Sequence, residues 1–324
     1  MGQIDFINAS LWYGEVIALN EVSFKITPGI TGLVGSNGAG KTSSIKLATS
    51  LMKPTLGEVN FNGDPVWQNY EYLRQLGYSP EIDRQFNFMT GRKFLEFAGK
   101  LHKLSNQDNQ NSVNDILKII GMRHAADRKI SEYSRGMRQR IKIGQSLIHN
   151  PSIIFADEPL SGTDPIGRKL MIDLFHNLSK DDKMTIVVSS HVLHELERIS
   201  EKIIFLDSGK LVAEGKVKDV RYALQNVPQK IKIISDNSKD VAKSITNLVK
   251  SIEIIDSQSL VVEVTNRSEF TAEFSSIISN NKLNILTPKA SFMFNPGDMK
   301  NHNSTRKIIN ASNLFSINRM GLSN

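Results

Sequence analysis

The 324-residue sequence has no cysteine, which excludes disulfides, thiolate zinc sites and cysteine nucleophiles and fits a reducing compartment. No stretch approaches the ~20 apolar residues needed to cross a bilayer, and the opening MGQIDFINAS carries no basic-then-apolar export signal. The chain is therefore expected to be neither secreted nor integral to a membrane. Repeats of roughly 20 to 50 residues are also missing, which argues against a solenoid or propeller. What is present is ordinary globular usage, 40% apolar and 23% charged residues, so neither a disordered nor a fibrous chain fits. At ~100 to 200 residues per domain the length suggests two domains. The net charge of +7 favours anionic partners, whether nucleotide, nucleic acid or phospholipid surface; a mildly basic soluble surface explains it equally well.

Residues 4 to 26 alternate apolar and polar positions around Trp12, Tyr13 and Gly14, which reads as two antiparallel strands. Ile30 to Val34 is a short apolar run, Gly35 to Gly40 is glycine-rich, and Lys41 to Met52 has helical spacing up to Pro54. Residues 92 to 104 and 113 to 121 read as helices separated by a polar loop, SNQDNQNS. From Arg135 to His149 a helix is expected, then strands at Ser152 to Ala156 and Met184 to Ser189, with helices at Ile166 to Leu178 and Val192 to Ile199. Strands alternating with helices imply a largely parallel sheet covered on both faces. Lys202 to Gly215 reads as a strand pair around Ser208 and Gly209. After about residue 225, strand-like runs at Lys230 to Ile234, Ile252 to Ile255, Leu260 to Val264 and Leu283 to Leu286 alternate with helical stretches near 239 to 250 and 268 to 279. This βαββαβ order predicts a small ferredoxin-like domain. The Asn- and Ser-rich stretch from Ser291 predicts a loosely held tail.

Gly35, Ser36, Asn37, Gly38, Ala39, Gly40, Lys41 and Thr42 have the spacing in which a glycine loop wraps phosphates with backbone N–H groups at a helix N-terminus. Lys41 neutralises β/γ-phosphate oxygens in such a loop, and the Thr42 hydroxyl ligates Mg²⁺. The preceding apolar strand and following helix are the context that separates this motif from a chance glycine turn, so nucleotide binding, with Ser43 completing the loop, is the firmest expectation. Asp157 and Glu158 follow a buried strand, at the end where open α/β sheets keep their ligands. Asp157 is expected to hold Mg²⁺ and Glu158 to accept a proton from an attacking water. An acidic pair opening a turn before Pro159 is the plainer reading of those two alone.

With Tyr133, Ser134, Arg135, Gly136 and Met137 some twenty residues before Asp157, then Gln139 and Arg140, the sequence resembles the ATP-binding subunits of ABC transporters. The Ser-x-Gly-Met-x-Gln-Arg form resembles the branch that drives exporters of drugs, antibiotics, lipids or ions. Tyr133 stands where leucine is usual, a mild change between two large anchors. Read alone, Ser134 is an ordinary helix N-cap. The resemblance covers about residues 3 to 222 and looser similarity extends over 230 to 289.

The resemblance implies a P-loop α/β fold of ABC ATPase type, with an N-terminal antiparallel β subdomain and a helical subdomain. The ATP-binding domain is placed at 1–225 with the helical subdomain at about 82–150, the α+β domain at 226–290 and the tail at 291–324. Tyr13 looks like the aromatic that stacks on adenine, against a core-packed strand aromatic. Glu81 takes the place of a metal-sensing glutamine, adding negative charge beside Asp157 and Glu158. Ser161, Gly162 and Asp164 resemble the dimer-spanning loop, with Thr163 for leucine, and His191 the switch histidine on the γ-phosphate. Zinc between His191 and His194 is rejected for want of further ligands.

The implied catalytic set is thus Glu158, His191 and Lys41, with ATP and Mg²⁺ as cofactors and Ser134, Arg135, Gly136 and Met137 acting in trans. The implied partners are a transmembrane permease and a second ATPase chain, head to tail, identical or paralogous. No nucleic acid is expected, and the place of work is the cytoplasmic face of the membrane. The stretch 82 to 100, with Phe86, Phe88, Met89, Phe94 and Phe97, is the expected surface for a permease helix, although core packing is expected to claim at least half of those side chains. The rivals are a soluble ABC-type ATPase acting in DNA repair or on the ribosome, disfavoured by the single phosphate loop and the lack of a long coiled coil, and a regulatory ATP-binding protein without turnover.

Overall fold

Period-two alternation puts Ile4, Phe6, Ala9 and Leu11 of β1 (Ile4–Tyr13) and Leu19, Val22, Phe24 and Ile26 of β2 (Val16–Ile26) on one buried face. The register slips between Phe6 and Ala9, where Asn8 takes a left-handed φ of 46°. In this computed structural model, residues 2–82, 86–180, 184–220, 229–264, 267–281 and 285–287 are described. They form two compact units that part between Val217 and Lys218.

In the first unit, β1 pairs with both β2 and β4 (Leu56–Phe61), and β5 (Asp64–Pro65) completes an antiparallel sheet in the order β2-β1-β4-β5. The second sheet contains β3 (Gly29–Val34), β6 (Leu76–Ser79), β7 (Ile153–Ala156), β8 (Thr185–Ser190), β9 (Lys202–Asp207) and β10 (Lys210–Lys216), ordered β10-β9-β3-β8-β7-β6. All neighbours in it are parallel except the β9–β10 hairpin. Every residue of β7 and β8 is buried, as the continuous apolar runs of central parallel strands require. One core joins the two sheets through Phe6, Phe24, Leu33, Ile45, Phe155 and Val187.

The helices are α1 (Lys41–Ala48), α2 (Tyr70–Leu73), α3 (Gly91–Leu101), α4 (Asn106–Ile119), α5 (Arg135–Leu147), α6 (Pro165–Ser179) and α7 (Leu193–Glu197). No expectation covers α2, and two other helices differ from theirs. α1 stops before Met52 because Ser50 enters the left-handed region at φ 55°. SNQDNQNS, expected as a loop, is instead the cap and first turns of α4. Ser105 Oγ accepts the Asp108 N–H at 3.1 Å, and the buried Asn109 amide donates to Glu96 O at 2.9 Å. A cap and one side chain to backbone bond thus hold a turn that lacks apolar residues.

At the far end of α5, His149 stacks on His102 at 3.8 Å between ring centroids, and its Nε2 lies 3.0 Å from Leu76 O. Burial, then the neighbouring His102, pushes the His149 imidazole down to about 4 from the usual 6.5. Between those values the unfolded chain binds a proton that the folded chain refuses, so stability falls as pH drops through that window. Thermal unfolding from pH 7 to pH 4 is expected to show this loss, and His149→Gln to lessen it; an unchanged pH slope contradicts the assignment.

The second unit runs β11 (Gln229–Ser235), α8 (Ser238–Ile245), β12 (Ser251–Ile254), β13 (Ser259–Val264), α9 (Arg267–Asn281) and β14 (Ile285–Thr287). Its antiparallel sheet has the order β12-β13-β11-β14, the ferredoxin-like arrangement, over a core of Ile233, Val241, Ile245, Leu260, Val262 and Phe270. The expected domain boundary at 225/226, Leu283 and the tail 291–324 lie outside the described residues.

Candidate functional site

The C-terminal ends of β3, β7 and β8 meet where β3 runs into the glycine loop and α1. Gly40 is the helix N-cap at φ 102°, and a Cβ there would lie 2.6 Å from Leu19 Cδ2 and 2.8 Å from Ala18 O, so only glycine fits. Lys41 is buried, and its ammonium donates to Gly35 O at 2.9 Å and Ser36 O at 3.2 Å. It also forms an ion pair with Glu158 Oε1 at 3.2 Å.

Asp157 is 1% exposed, with Thr42 Oγ1 donating to Oδ2 at 2.8 Å and Ser189 Oγ to Oδ1 at 2.6 Å. Burial raises the Asp157 carboxyl above the usual carboxylate range, the two hydroxyls oppose the rise, and the Glu158 charge adds to it. The donor set fits Mg²⁺: one hydroxyl and one carboxylate oxygen converge, leaving most of an octahedral shell to phosphate and water. Among the described residues no group of three or more His, Asp or Glu could hold a metal unaided.

Glu158 takes φ 48°, a strained conformation for a side-chain-bearing residue. Its N–H donates to Ser189 Oγ at 2.7 Å, and its Oε2 lies 2.9 Å from His191 Nδ1. The carboxylate is thereby suspended between Lys41 and His191. Ser189 was not among the sequence-based site residues. Its role follows from strand pairing, since Ser189 lies near the end of β8, beside the end of β7 that leads into Asp157.

The other expected residues lie elsewhere. Tyr13 sits at the β1–β2 hairpin, 39% exposed rather than core-packed, with Lys46 Nζ 5.5 Å from its ring centroid and 3.4 Å from its hydroxyl. Glu81 is exposed, with no hydrogen bond to Thr42 or Asp157; its charge joins that of Asp157 in raising the Tyr78 phenol, though burial is the larger cause. Ser134 caps α5 by accepting the Met137 N–H at 3.3 Å. The anchor before it, Tyr133, is buried and donates to Ala125 O at 2.7 Å.

Arg135 reaches Ser161 Oγ at 3.4 Å, and Gly136 faces Asp164, so the signature residues meet the 161–164 loop. Thr163 is buried and donates to Leu160 O at 2.7 Å. Of the aromatic and Met side chains in 86–97, only Phe94 is buried; Phe86, Phe88 and Phe97 are exposed, so the core claims fewer than expected. Phe86, Phe94, Phe97, Ile82 and Leu101 line an open apolar groove of about 210 Å³ with Lys142 in its wall.

The family model for "ABC transporter" matches residues 19–161, from β2 through the glycine loop and signature to the 161–164 loop. The uncharacterized ABC transporter ATP-binding protein YxlF of Bacillus subtilis is 32% identical over 64% of this chain and 69% of its own. The chain belongs to the ABC transporter family. The bacitracin transport ATP-binding protein BcrA of Bacillus licheniformis is 34% identical over 62% of this chain and 66% of its own. A dimeric bacterial ABC transporter cassette superposes with a TM-score of 0.61 at 26% identity, covering 66% of this chain and 98% of that one. As an ATP-binding subunit of this family the chain hydrolyses ATP.

Proposed function

We propose that this ABC subunit drives export through a separate transmembrane permease, as one of two ATPase chains that sandwich two ATP molecules head to tail. The observation that carries the reading is the buried Glu158 carboxylate held 3.2 Å from Lys41 and 2.9 Å from His191, beside the Thr42–Asp157 pair. In the Lys41 contacts, phosphate oxygens replace Gly35 O, Ser36 O and Glu158 as acceptors. Glu158, released from Lys41 and still oriented by His191, accepts a proton from water attacking the γ-phosphate. Mg²⁺, held by Thr42 and Asp157, supplies charge neutralisation on the phosphates when bound. His191 donates to the γ-phosphate, and Tyr13 presents its ring to adenine.

Ser134, Gly136 and the N-terminus of α5 form an anion site of their own, set against the 161–164 loop through Arg135 and Ser161 Oγ. A second chain placed head to tail brings that site onto the γ-phosphate. γ-Phosphate contacts then favour the closed dimer, and hydrolysis removes them. The dimeric cassette supports this arrangement, and the name of the bacitracin relative supports export.

The apolar groove supports docking of a permease helix, with three exposed phenylalanines beside it. Residues 86–150 hold twelve lysines and arginines against five acids, so the whole excess of seven sits there and the rest balances at twenty-eight of each sign. That concentration supports a site beside an anionic membrane face. Among the described residues no helix is long and apolar enough to cross a membrane. Co-expression with a membrane protein taken from a neighbouring reading frame tests the reading. Phe86→Asp with Phe97→Asp, both in the groove wall, is expected to abolish co-purification while leaving ATP affinity within about twofold; undiminished capture contradicts the groove as the docking site.

A further inference from the structure

Lys142 is 2% exposed, two turns along α5 from Ser134. Its ammonium donates to Pro80 O at 2.8 Å and Glu81 O at 3.0 Å. Those carbonyls lie just past the β6–β7 ladder, which ends at Ser79 and Ala156, so backbone pairing no longer holds the chain there. A methionine would fill the same space without desolvating a cation, so what the ammonium adds there is directed hydrogen bonding to that backbone. α5 is already pressed onto β6 four residues further on, where a Cβ on Gly77 would lie 2.1 Å from Ser146 O. Lys142 also stands in the wall of the apolar groove. One side chain therefore touches the signature helix, the backbone of Glu81 and the groove.

We infer that Lys142 is a positioning residue that ties the signature helix to the Glu81 loop, so that Ser134 and Gly136 reach the second subunit's phosphate only when that loop is in place. This rests on the composite dimer site proposed above. Glu158→Gln, which slows hydrolysis and holds the ATP state, provides the background in which to measure it, with the full-length chain, Mg·ATP and sedimentation as the readout.

Adding Lys142→Met is expected to raise the protein concentration for half-dimerisation about tenfold or more, with ATP affinity of the monomer within about twofold. Lys142→Arg, which keeps the donors, restores dimerisation to within about threefold, a recovery that a purely space-filling role would not give. Unchanged dimerisation in Lys142→Met, or equal loss in the Met and Arg variants, overturns the inference while leaving the composite site standing. If Glu158→Gln alone fails to dimerise with ATP, the composite site itself falls, and this inference with it. Should Lys142→Met not fold, Lys142→Arg decides: a folded variant that stays monomeric contradicts the tie.

Discussion

Glu158→Gln is expected to lower ATP turnover about 10³-fold while ATP still binds. The substitution keeps shape and removes the carboxylate that sits at φ 48° between Lys41 and His191. Its amide can still hydrogen-bond, but it cannot take a proton from water. The proposed nucleotide contacts, made by the glycine loop, Lys41 and Thr42, are not altered. Steady-state phosphate release and equilibrium binding of a fluorescent ATP analogue separate the two effects. Turnover within about tenfold of wild type would remove Glu158 from the role of base.

Lys41→Met carries the second large effect, and it acts on both states of the protein. With nucleotide, loss of charge-assisted hydrogen bonds worth ~1.5 to 3 kcal/mol each weakens ATP binding about 100-fold or more. Without nucleotide, the buried Glu158 carboxylate loses its 3.2 Å partner, and breaking such a pair costs about 3 kcal/mol. For a unit of this size that lowers the melting temperature by roughly 6 to 12 °C. Adding Glu158→Gln to Lys41→Met is expected to recover most of the melting temperature and none of the affinity. A Lys41→Met chain that melts and binds ATP like wild type would contradict both assignments.

The site was legible where chemistry depends on contiguous residues. The glycine loop needs eight neighbours in a fixed order, and Asp157 with Glu158 follows an apolar strand that announces its own end. Ser189 was harder to see because its importance comes from β8 lying beside β7, a pairing across thirty-two residues that local pattern does not encode. Lys142 was invisible for the same reason, its acceptors lying more than sixty residues back. α4 was misread because its first turns are held by Ser105 and Asn109, polar groups that also favour turns. The share of the 86–97 aromatics expected in the core was too large, since a helical period shows which residues share a face and not what covers that face.

The most direct test follows the sedimentation of the Glu158→Gln chain with Mg·ATP, with Ser134 and Gly136 intact or replaced by Ser134→Arg and Gly136→Asp. The intact signature is expected to give a species of twice 36.2 kDa, and the replaced one a monomer that still binds ATP. An intact signature that stays monomeric at saturating Mg·ATP, or a replaced one that still sediments as the dimer, would contradict a site shared between two subunits.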